Sequence, residues 1–90
     1  MNEVVIVSAC RTAIGKFMGS LKDVSAKELA ITVGKAAIER AGISADIVDE
    51  IVVGQVYQHL QGSLVSRQIA MAVGLPVSSN ACNVNQNCAS

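Results

Sequence analysis

Ile51-Val52-Val53-Gly54-Gln55-Val56 is a short, β-branched apolar run with polar residues on both sides. A run of this length and composition is predicted to be a strand buried in a sheet. What flanks it decides the fold. Upstream, Ser25-Ala26-Lys27-Glu28 has the form of a capping box, in which the Ser25 hydroxyl accepts from the third amide of a helix. Leu29, Ala30, Val33, Ala37, Ile38 and Ala41 then recur at helical spacing, and Gly42 is placed as a C-terminal cap followed by apolar Ile43. Further upstream, residues 4–9 form a near-continuous apolar run, predicted to be a central strand covered on both faces. Strand, helix and strand over this span make a right-handed βαβ unit, with residues 4–9 and 51–56 parallel.

Downstream the alternation continues. Ser44 starts one short helical turn over residues 44–48. Residues 57–63 are a polar connection containing His59 and Tyr57. Residues 64–73 read as a second helix with Leu64, Ile69, Ala72 and Val73 on its apolar side, stopped by Gly74 and Pro76. Residues 81–85 make a third strand, which turns a corner at Asn85-Gln86-Asn87-Cys88-Ala89-Ser90. The fold class is α/β, in the order β-α-β-α-β. A helix is expected to begin at Cys88, but two further residues cannot nucleate one, so residues 1–90 are expected to be the front of a longer chain.

The composition agrees. Half of the 90 residues are hydrophobic (51%), only 2% are aromatic and 16% are charged, with zero formal net charge. Aliphatic mass of this kind suits buried parallel strands with helices packed on them. Balanced charge argues against a nucleic-acid or anionic-membrane partner. No apolar run reaches the length of a bilayer span. Three cysteines with no close pair do not form a disulfide framework, and a strand so near the N-terminus leaves no room for a leader, so the cytosol is the expected compartment.

Cys88 is the candidate nucleophile. A thiol at a helix N-terminus meets unpaired N–H groups and the positive end of the helix dipole, which favour the thiolate. Against this stands the tendency of cysteine simply to pack, but Asn85, Gln86, Asn87 and Ser90 are a polar setting for a core residue. Cys10 follows an apolar strand and is expected to pack. Cys82, six positions before Cys88, fits neither a zinc spacing nor a C-x-x-C redox pair. His59 lies in the polar connection and is expected to be solvated or at an interface. Arg67, among apolar residues, is expected in a salt bridge or interface. Gly15 and Gly19 do not have the spacing of a phosphate-binding loop.

Taken in order, several segments resemble thiolases. These are Val4-Val5-Ile6-Val7-Ser8-Ala9-Cys10-Arg11-Thr12 with Ile14-Gly15-Lys16-Phe17, and the helix end Ala36-Ala37-Ile38-Glu39-Arg40-Ala41-Gly42. Val53-Gly54-Gln55-Val56, Ser66-Arg67-Gln68 and Ala72-Val73-Gly74-Leu75-Pro76 continue the series, and Val84-Asn85-Gln86-Asn87-Cys88-Ala89-Ser90 is similar to the family's nucleophile segment. The resemblance covers essentially the whole chain. It implies a layered α-β-α-β-α fold of two similar halves, of which residues 1–90 would supply the first part of the N-terminal domain.

The resemblance also implies an acyltransferase, acting on acyl-coenzyme A thioesters with acetyl transfer as the expected chemistry. Cys88 would carry the acyl group, in a Claisen condensation or, in reverse, in thiolysis of a 3-ketoacyl-CoA. No metal and no cofactor beyond the CoA thioester substrates is implied, and a homo-oligomer (dimer or tetramer) is. Residues 58–68 are expected near its interface. The family's activating histidine and second cysteine belong to its C-terminal half, and His59, Cys10 and Cys82 do not match them. Asn87, Cys82 and Leu64-Val65-Ser66 depart from common family residues, which bears on acyl preference. Two other readings stay open: a ketoacyl-synthase type of condensing enzyme, and a non-enzymatic α/β interaction module.

Overall fold

The computed structural model describes residues 2–58 and 64–90 and divides into two compact units, Met1–Ser44 and Ala45–Ser90. In the first unit the one regular element is helix α1, Ala26–Ala41. It begins where its cap begins. The Ser25 Oγ accepts from the Glu28 N–H at 3.1 Å, making that half of the expected capping box, and Gly42 closes the helix at φ 69° with its N–H on the Glu39 carbonyl. An L side chain is strained at that φ, so glycine is the fitting residue. Leu29, Ala30, Val33, Ala37 and Ile38 share the half-buried side of the helix, but no residue of α1 is fully buried.

The strand expected over residues 4–9 is not formed. No ladder joins it to another segment among the described residues, and Val4 and Ile6 are 98% and 91% exposed. A strand is defined by the neighbour it bonds to, and a β-branched run without one has no ladder to extend. The end of this segment is tied down: the Cys10 thiol donates to the Val33 carbonyl at 3.3 Å, and an Arg40 guanidinium N–H donates to the Ala9 carbonyl at 3.5 Å. Cys10 thus packs against α1, as expected of a structural thiol.

The second unit holds the α/β arrangement. After a 3-10 turn at Ala45–Ile47 come strand β1 (Glu50–Gly54), helix α2 (Val65–Val73) and strand β2 (Asn80–Val84). β1 and β2 pair in parallel, with Glu50 opposite Asn80 and Gly54 opposite Val84. The parallel partner of β1 within this unit is β2, and α2 is the crossover that any parallel pair requires. α2 packs on both strands. Its buried residues are Val65, Ser66, Ile69 and Ala70, joined by Leu75 just beyond it. The buried stripe is thus offset from the expected one: Leu64 is half-exposed and Ala72 exposed, because the helix starts at Val65 and repeats its inward face every four residues from there. On the other face of the sheet Val52 and Cys82 stand opposite each other and exposed.

Two polar devices hold this unit. The Asn83 Oδ1 accepts from the Ser66 N–H at 3.1 Å, so β2 supplies the cap that Leu64 cannot give to α2. Arg67 donates to the carbonyls of Ser79 (2.9 Å) and Val77 (2.8 Å), clasping the turn between α2 and β2. These partners are backbone oxygens, so of the two settings expected for Arg67, a salt bridge or an interface, the salt bridge is not the one formed here. No helix among the described residues is long and apolar enough to cross a membrane.

Candidate active site

β2 runs out at Val84, whose carbonyl accepts from the Gln55 N–H at 3.0 Å in a last link to the end of β1. The chain then folds tightly. The Ala89 N–H donates to the Gln86 carbonyl at 3.1 Å and the Ser90 N–H to the Asn87 carbonyl at 3.0 Å, two overlapping turns with Cys88 inside both. Within residues 1–90 no helix is formed at Cys88. The turns use these amides within the corner itself.

Side chains complete the corner. The Asn85 Oδ1 accepts from the Asn87 N–H at 3.1 Å, a turn that asparagine makes readily. The Asn85 Nδ2 donates to the Val56 carbonyl at 3.1 Å, and the Ser90 Oγ accepts from the Gln86 N–H at 2.7 Å. Asn87 sits in the left-handed region at φ 51°, which asparagine tolerates far better than a β-branched residue. Beneath the corner, the Cα of Gly54 faces the Ser90 carbonyl so closely that any Cβ at position 54 would overlap it. A glycine inside a strand marks such close backbone approaches, and that was the signal in the sequence for Gly54.

Cys88 itself is exposed and its thiol is free. An accessible thiol on a turn can meet a small electrophile without rearrangement of the chain around it. Cys82 is also free and exposed, on β2, while Cys10 lies in the first unit. His59 falls outside the described residues. Among the described residues no three His, Cys, Asp or Glu side chains are grouped to hold a metal ion. The first unit has its own apolar recess of about 470 Å³, lined chiefly by Ile14, Phe17, Met18, Leu21 and Leu29.

Comparison with known proteins fits this arrangement. The family model for the thiolase N-terminal domain matches residues 4–90. An acetyl-CoA acetyltransferase of Clostridioides difficile is 48% identical over all 90 residues, which cover 84% of that protein. One of Cupriavidus necator is also 48% identical over the whole chain, which covers 23% of it. Among solved structures, the acetyl-CoA acetyltransferase of Syntrophomonas wolfei superposes with a TM-score of 0.87 at 52% identity, over 96% of this chain and 22% of that one. The Acat5 thiolase of Ascaris suum, solved in complex with coenzyme A, gives 0.92 at 38% identity, over 94% of this chain and 22% of that one. The chain thus spans less than a quarter of the Cupriavidus relative and of both solved thiolases. Matched along its length by the family's N-terminal domain model, the chain belongs to the thiolase family.

Proposed function

We propose that the chain supplies the acyl-accepting cysteine, Cys88, of a thiolase-type acetyl-CoA acetyltransferase. In this reading the Cys88 sulfur attacks the thioester carbonyl of acetyl-CoA. The new S–C bond forms as the bond to CoA breaks, and the CoA thiolate leaves and takes up a proton. A second acyl-CoA, having lost an α-proton, then attacks the acetyl group; a C–C bond forms and the Cys88 sulfur leaves. Run backwards, CoA cleaves a 3-ketoacyl-CoA. Sulfur suits both steps, because a thiolate is a good nucleophile and a good leaving group.

The observation that carries the reading is an exposed, free thiol at the centre of a bonded corner, within a chain matched by the thiolase model. The coenzyme A bound to the Ascaris thiolase supports CoA thioesters as the substrate class. None of His59, Cys10 and Cys82 matches the family's activating histidine or second cysteine, so the 90 residues alone are expected to be inactive. Thiolysis by the pure chain above a Cys88→Ala control would contradict that. We further propose a homo-oligomer, with residues 58–68 near the subunit contact, checked by hydrogen exchange as protection of the backbone there on association. The three free cysteines support a reducing compartment, and the cytosol is the proposed one. Recovery with mitochondria on cell fractionation would move it.

The central test is direct. The intact protein from its natural source is mixed with acetyl-CoA, quenched in acid and digested. Acetyl on the Cys88 peptide is the expected result. Acetyl on another cysteine, or on none, would overturn the assignment.

A further inference from the structure

The corner that holds Cys88 is attached to the end of β1 from two directions. One attachment is polar. The Asn85 side-chain amide works at both ends: Oδ1 takes the Asn87 N–H, one residue before the cysteine, and Nδ2 reaches the Val56 carbonyl beyond β1. The other attachment is steric. The Ser90 carbonyl, two residues after the cysteine, lies against the bare Cα of Gly54. Cys88 sits between these grips while its own side chain is exposed.

We infer that Asn85, together with Gly54, is a positioning device that sets the direction in which the Cys88 thiol is presented. The inference rests on the reading of Cys88 as nucleophile. Both act through the corner, by their contacts with Val56, Asn87 and Ser90. The chemical reason for asparagine is specific, because the site needs one acceptor and one donor on the same short planar group. Alanine supplies neither. Serine can still accept the Asn87 N–H in the weaker turn that hydroxyls make, but cannot span to Val56. The reason for glycine is equally specific: a methyl at position 54 must displace Ser90, and the turn with it, away from the strand. Attack on a thioester depends on the angle and distance of approach, and a misplacement of about 1 Å can cost roughly 100-fold in rate. Alkylation by a small freely diffusing reagent has no such demand.

The experiment exploits that contrast in the intact natural-length protein. Three variants are compared with wild type: Asn85→Ala, Asn85→Ser and Gly54→Ala. For each, single-turnover acetylation of Cys88 by acetyl-CoA is followed by peptide mass, alongside iodoacetamide alkylation of Cys88 across pH and steady-state kcat and KM. In Asn85→Ala and Gly54→Ala, acetylation and kcat are expected to fall roughly 10- to 100-fold. The pH midpoint of alkylation should stay in place and KM should change little. Asn85→Ser should recover part of the rate. Wild-type acetylation in Asn85→Ala overturns the inference. So does a parallel fall of acetylation and alkylation, because that would place the effect on the thiol's reactivity or on folding. Asn85 is exposed, so its variants decide the matter even where Gly54→Ala does not fold. Acetyl found away from Cys88 in wild type is a separate failure, that of the nucleophile assignment, and it is visible before any variant is examined.

Discussion

The two units solve the same problem with different means. The one regular element of Met1–Ser44 rests on local signals: a serine cap, a glycine stop and a sixteen-residue helix in which nothing is fully buried. Ala45–Ser90 rests on distant contacts: a parallel ladder, a crossover helix borrowing its cap from β2, and a core of Val65, Ile69, Ala70 and Leu75. Both are rich in aliphatic residues. The difference teaches that apolar content alone does not make a core. A crossover that returns the chain alongside itself does, because only then do two apolar faces meet.

That contrast can be broken by mutation, starting where the effect is greatest. Ile69→Ala in the second unit removes a nearly fully buried side chain and should cost about 2–5 kcal/mol in urea unfolding. A cost below that of a surface change would show that the core does not carry this unit. Next comes Arg67→Met, which keeps the apolar stem but deletes the two bonds to the carbonyls of Ser79 and Val77. Hydrogen bonds to charged groups support an expected loss of about 2 kcal/mol, with faster exchange at the turn between α2 and β2. Ser25→Ala probes the first unit's local logic and should cost about 1 kcal/mol, seen as fraying of α1 by hydrogen exchange. Smallest of all is Phe17→Ser: its ring is 95% exposed, so the expected change is within about 0.5 kcal/mol. A large loss there would mean that the first unit hides a core of its own.

What the sequence revealed followed the same division. Helix α1 was legible from Ser25 to Gly42, because both of its ends are decided by side chains within a few residues. β1 and β2 were legible to within about two residues from their apolar runs. Residues 4–9 have an equally strong run, yet they form no strand here, because strand formation is a property of a pair and an apolar run does not fix which segment is its partner. The inward face of α2 shifted for a similar reason: its start is set by Asn83 from another element, which no local pattern announces. For Arg67 a salt bridge or an interface was expected, and in place of a carboxylate two carbonyls of a nearby turn take its guanidinium. At the candidate site, Cys88 and its polar neighbours were legible as a corner. The close approach at Gly54 was only hinted at by a glycine inside a strand, because it depends on where Ser90 comes to rest.

Among the described residues, β1 and β2 have only each other. Each therefore carries one bonded side and one row of backbone N–H and C=O groups with no ladder, beside the exposed Val52 and Cys82. A bare strand margin of this kind is a template for strand addition from another molecule. For these 90 residues the expected consequence is strand pairing between copies, read as light scattering that rises with concentration.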